Sequence, residues 1–245
     1  MKLPALEEFA RLRRGLPVLA AALLVVALFF PMWQITVLAV QYPGEPLYLQ
    51  LYAYPRITGD VWEVATLNHY VGFYYPDPVY WQPNYEVHPR AIDVPEWTLG
   101  PIAFLAVAAA GAFVAVAPTV EKLKRGLRWQ LVGSVTVFVV MLADIQYRLY
   151  QAGHSLDPAA PLVGVEGFTP PIWGRYEVAN ITSYSGLGVG AYLTMVAIAL
   201  LVVAYYYRDS DATFGDVPRL VSEGVGRAIG GDGEETPGAG PTEPR

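Results

Sequence analysis

Four stretches of this 245-residue chain carry no charge: Gly15 to Gly44 and Val178 to Tyr207 for 30 residues each, Trp97 to Val120 for 24, and Trp129 to Ala143 for 15. The hydrocarbon core of a bilayer is about 30 Å thick and takes roughly 20 predominantly apolar residues in a helix. These runs therefore constrain the fold more than any other feature. They predict four transmembrane helices, near 15–36, 98–118, 129–150 and 186–207. Only 16% of residues are charged, against roughly 25% in a soluble domain. The first run follows Arg11, Arg13 and Arg14 like the n-region of a signal peptide, but no small-x-small cleavage site comes after it, so it reads as a retained anchor.

The cations set an orientation, because Lys and Arg near span ends stay in the cytoplasm. Twelve of sixteen fall on one side: Lys2, Arg11, Arg13 and Arg14; Lys122, Lys124, Arg125 and Arg128; and Arg208, Arg219, Arg227 and Arg245. Both termini are then cytoplasmic, and the protein sits in the plasma membrane with the bilayer as its first partner. The opposite face is acidic, with Arg56, Arg90, Arg148 and Arg175 against eleven acids. The formal charge of −6 and the lack of a basic patch exclude nucleic acid as a partner.

The predicted organisation is a cytoplasmic N-terminus and first helix (1–37), an extracytoplasmic cap (38–97), two helices joined by a basic cytoplasmic loop (98–150), an outer loop (151–185), a fourth helix (186–207) and a disordered cytoplasmic tail (208–245). The fold class is a mainly α membrane protein with a small β-containing cap. Leu47, Leu49 and Leu51 alternate with Tyr48, Gln50 and Tyr52, the period of a half-buried strand. Nine of seventeen Tyr lie in the cap, where amphipathic rings suit the headgroup level. The outer loop, rich in Pro and Gly from Gly153 to Pro171, is expected to be irregular and to pack on the cap. Gly186 and Gly190 are spaced for close helix approach. The tail from Gly230 to Arg245, with five Gly, three Pro and four acids, cannot bury enough apolar surface to fold.

The absence of Cys excludes disulfides, thiolate metal sites and covalent haem. All three histidines, His69, His88 and His154, fall in the outer segments. Imidazoles on separate loops can converge on copper or zinc; each can equally be a hydrogen-bonded structural residue. Asp157, three residues after His154, could orient it or complete a metal site, while Asp157-Pro158 is also a strong turn pair. Asp144 is the only acid within a span, a default functional candidate. Arg148 lies four residues on, on the same helical face, and can neutralise it. No hydrolase, P-loop or Rossmann motif is present, so no catalytic residues are assigned and the chain reads as a non-enzyme.

Five phrases carry a resemblance: Pro31-Met32-Trp33-Gln34-Ile35, Gln41 to Leu47, Gly59-Asp60-Val61, Leu67-Asn68-His69-Tyr70-Val71-Gly72, and Gly153-His154-Ser155-Leu156-Asp157-Pro158. In order and placement they resemble a family of multi-span membrane proteins encoded in nitrous oxide reductase gene clusters, especially the clade II type, over roughly residues 15–207. The resemblance implies an accessory role in maturation of, or electron supply to, a copper enzyme outside the membrane, in denitrification. It adds weight to copper as a ligand of His69, His88, His154 and Asp157. Relatives commonly carry Met after the His-Tyr-x-Gly phrase, where this chain has Phe73, so no thioether ligand is available there. Two other classes stay open: a quinol- or electron-exchanging subunit of a membrane oxidoreductase, suggested by Asp144, Arg148 and the Tyr-rich interface, and a purely structural subunit of a larger complex.

Overall fold

The computed structural model describes residues 6–77, 80, 82, 84 and 86–222. The predicted disorder from Gly230 to Arg245 lies outside the described residues. Four helices pack as a bundle: α1 (Leu12–Ala27), α3 (Gly100–Ala115), α4 (Val120–His154) and α5 (Val189–Tyr206). A short helix α2 (Val61–Val71) lies on a sheet of five antiparallel strands, β1 (Trp33–Ala39), β2 (Leu47–Leu51), β3 (Ile57–Gly59), β4 (Gly174–Val178) and β5 (Ile181–Leu187), in the order β3-β2-β1-β5-β4.

Three segments are long and apolar enough to cross a membrane: Pro95–Ala115, Val120–His154 and Val189–Asp209. The first predicted span is corrected. Its helix stops at Ala27 after 16 residues, about 24 Å at 1.5 Å per residue, and the predicted remainder turns at Pro31 and enters β1. The run from Trp33 to Ala39 is apolar enough for either element, and such runs cannot be told apart by periodicity alone. Strand pairing decides it: Trp33 faces Leu51 on one side and Leu187 on the other.

The alternation at Leu47, Leu49 and Leu51 is a strand, with all three leucines buried and Tyr48 exposed. The outer loop is more ordered than expected, because β4 and β5 form a hairpin and β5 completes the sheet beside β1. Since β5 runs through Leu187, the fourth helix begins at Val189, and Gly186 and Gly190 do not share a helix. Gly188 and Gly190 instead allow close chain approach: a Cβ would stand 2.2 Å from the Pro31 carbonyl oxygen at the first and 2.7 Å from that of Phe30 at the second.

Helix α4 is the spine of the molecule. Its 35 residues extend about 52 Å, well beyond the hydrocarbon thickness. Lys122, Lys124, Arg125 and Arg128 lie in its first turns rather than in a loop, and Thr119 caps it by accepting from the Lys122 amide at 3.3 Å. Leu123 and Leu127 pack in the bundle core, while Leu149 and Ala152 pack beneath the sheet. Near the other end of the bundle, Gly111 marks the crossing of α3 with α1 and α4, where a Cβ would stand 2.4 Å from Gln130 Nε2 and 2.9 Å from the Pro17 carbonyl oxygen.

Two of the cations that suggest the orientation also hold the bundle together. Arg14 is buried and donates to the Ala115 and Ala117 carbonyls at 2.6 and 3.1 Å, satisfying acceptors exposed where α3 ends. Arg13 donates to Asp211 at 2.7 Å, and the Leu12 amide to the Ala212 carbonyl at 2.9 Å. The beginning of the predicted disordered tail is thus ordered: residues after α5 fold back on α1, and Phe214 covers Gly15.

Candidate functional site

A concavity lies where the bundle meets the sheet. It is a cavity of about 320 Å³, bounded by Gly100, Ala103 and Phe104 of α3, by the stretch of α4 from Thr136 to Ile145, and by Trp33, Leu51 and Tyr75 on the sheet side. Trp97 closes one flank and is held there by donating Nε1–H to the Tyr52 carbonyl at 2.7 Å. Trp33 is fixed likewise, donating to the Ile172 carbonyl at 2.8 Å. Gly100 permits the junction, because a Cβ there would fall 1.7 Å from the Ala53 carbonyl oxygen.

Two acids, Asp144 and Glu96, line this largely apolar space. The expected Asp144–Arg148 pair is present, with Arg148 Nε 3.6 Å from Asp144 Oδ1. The same Nε donates to Glu96 Oε1 at 2.7 Å, and Nη2 also engages Glu96. Arg148 Nη1 donates to Gln151 Oε1 at 2.8 Å. One guanidinium therefore holds two acids from different elements in place, a geometry suited to its planar fork. Sequence reading misses Glu96, which lies 52 positions from Arg148. The available signal is an acid in Pro95-Glu96 at the head of an apolar helix, a position favoured by the helix dipole.

The histidines do not form one cluster. His69, in the last turn of α2, and His88 have ring centroids 5.9 Å apart at a tilt of 33°. Tyr74 stacks on His88 at 3.8 Å and leans on His69 at 4.3 Å. His88 Nδ1 accepts from the Arg90 amide at 3.2 Å. Burial, and then the neighbouring His88, hold the His69 imidazole below its ordinary value of 6.5, against an opposing pull from Asp77. Asp77 itself is buried and is a residue that sequence reading passes over. Burial also pushes the Tyr75 phenol well above its usual range.

His154 ends α4, donating Nδ1–H to the Tyr150 carbonyl at 2.9 Å and stacking on the Tyr150 ring at 4.1 Å. Asp157 serves a turn: its Oδ1 accepts from the Ala159 amide at 2.9 Å. Among the described residues, no group of three or more His, Asp or Glu is arranged to hold a metal ion.

What the fold does join are the segments around these residues. The Asp157 amide donates to the Gly72 carbonyl at 3.0 Å and the Leu162 amide to the Tyr70 carbonyl at 3.1 Å. Gly72 takes φ +83°, and a Cβ there would lie 2.9 Å from both the amide nitrogen and the carbonyl oxygen of Asp157. The phrases Leu67 to Gly72 and Gly153 to Pro158, far apart in the chain, thus make one surface. No protein-family model matches the chain, and no curated protein or solved structure matches it.

Proposed function

We propose that this chain is a non-enzymatic membrane accessory protein of a copper enzyme such as nitrous oxide reductase, acting as an outward-facing docking platform in maturation or electron supply. The observation that carries the reading is the union of the two most specific resemblance phrases through the hydrogen bonds at Tyr70 and Gly72. A platform needs a rigid, ordered surface rather than a reactive centre. The packing of α2, the His69–Tyr74–His88 cluster and the turn at Asp157 supports one. Cytoplasmic termini follow from the cation distribution and put this surface outside the plasma membrane.

The platform reading is favoured over a resident copper site, because His154 and Asp157 are engaged in local contacts and His69 and His88 supply only two imidazoles. The test is genetic complementation in a host carrying both proteins. Deletion is expected to abolish accumulation of active copper enzyme. The wild-type chain restores it, and Gly72→Val, which forces apart the segments meeting at Asp157, does not. Full copper-enzyme activity in the deletion strain would refute the assignment. Stoichiometric Cu(I) binding by the purified chain, lost in His69→Ala/His88→Ala, would replace the platform by a copper carrier.

A further inference from the structure

The cavity between bundle and sheet plays no part in the platform, and its composition specifies a ligand independently of that reading. We infer that it binds a lipid-soluble hydroquinone, whose ring lies among the aromatic walls and whose hydroxyl donates to Asp144, the acid less tightly held by Arg148. Four observations converge on this chemistry. At about 320 Å³ the space falls within the range of small-molecule pockets, about 300–1,000 Å³, and accommodates one substituted ring with the start of a tail. Its walls include Trp33, Tyr52, Tyr75, Trp97 and Phe104, planar faces against which a flat ring stacks.

Its charged lining residues, Asp144 and Glu96, are both acids, and carboxylates offer strong acceptors to a hydroxyl donor. Arg148 pairs with both acids and is not among the residues that line the cavity, so an incoming headgroup meets carboxyl groups rather than the guanidinium. Finally, Leu99 and Val140 line the cavity while being more than half exposed, so the mouth opens on the apolar flank of α3 and α4. A ligand entering there comes through lipid, where a fixed cation carries a heavy desolvation cost and a neutral phenol does not.

The experiment is calorimetric titration of the full-length chain in detergent with a decyl-substituted benzohydroquinone under reducing conditions, alongside its oxidised quinone and decyltrimethylammonium. Saturable 1:1 binding of the hydroquinone is expected. Asp144→Leu weakens it about tenfold or more, the loss of a charge-assisted hydrogen bond, while leaving quinone affinity nearly unchanged because the quinone has no hydroxyl to donate. Ala103→Phe fills the cavity and abolishes binding of both. Val140→Trp, at the exposed mouth where core packing is undisturbed, reduces both and serves if Ala103→Phe does not fold. Hydroquinone binding indifferent to Val140→Trp and Asp144→Leu overturns the site, and tighter binding of decyltrimethylammonium overturns the ligand class.

Discussion

The bundle and the cap differ in how far small residues build their cores. Beside large residues such as Phe104, Leu123, Leu127 and Leu201, the bundle core buries a series of small ones, Ala20, Ala27, Ala108, Ala191, Ala197 and Ala204 among them, and its helices leave Phe113 75% and Trp129 68% exposed. The cap core is built mainly of large residues, with Trp33, Ile57, Leu49 and Leu51 buried, while Tyr48 and Val40 face out. In lipid, burial of apolar side chains gains little, so helices associate through close backbone approach and small residues line the contacts. In water, large apolar groups are driven inward at about 25 cal/mol per Å². Helix α4, with leucines in both cores, joins the two regions.

The largest expected effect falls on the cap. Trp33→Ala removes a buried indole and its bond to the Ile172 carbonyl, at a cost of about 3–5 kcal/mol typical of aromatic truncation. Hydrogen exchange is expected to accelerate across β1, β2 and β5 while the amides of α5 stay protected. Equal acceleration in both regions would show one cooperative unit instead of two.

A sharper test places the same substitution on both surfaces. Val139 on α4 is 55% exposed and Val40 after β1 is 72% exposed. Val139→Asp is expected to cost roughly 2.5–3.5 kcal/mol of membrane insertion, as for an acid near a span centre. Val40→Asp stays within about 0.5 kcal/mol, the ordinary effect of a surface change. Glycosylation-mapped insertion and thermal unfolding in detergent measure the two. Equal tolerance would mean that the outward face of α4 does not meet lipid.

The smallest effect is a pH response confined to the cap. The folded state holds His69 below the ordinary imidazole value of 6.5, so between those two values the unfolded chain binds more protons. Cap stability therefore falls as pH drops through that window, and the penalty is complete below the folded value. Tryptophan fluorescence during denaturation at pH 7.5 and pH 5.5 is expected to show a weaker cap at the lower pH, and His69→Asn to flatten the difference. An unchanged slope in that variant would assign the response to another group.

Much of the architecture is legible along the chain because it is local. Charge-free length marks the apolar helices, alternation at Leu47, Leu49 and Leu51 marks a strand, and a spacing of four brings Asp144 to Arg148. The elements misread are those whose identity depends on a distant partner. Trp33–Ala39 is a strand because Leu51 and Leu187 flank it, and β4 and β5, just after the Pro/Gly-rich stretch, take sheet form because β1 offers β5 an open edge.

The candidate sites divide in the same way. Residue types alone determined an apolar, thiol-free membrane chain with its imidazoles outside the predicted spans and an acid within one. Only the folded molecule decided that His154 turns back to its own helix, that Glu96 joins Arg148 across 52 positions, and that small residues at Gly100 and Ala103 leave room beside Trp97. Hydropathy and periodicity sum over neighbouring residues, whereas a site is a coincidence of segments whose approach is set by pairing and packing.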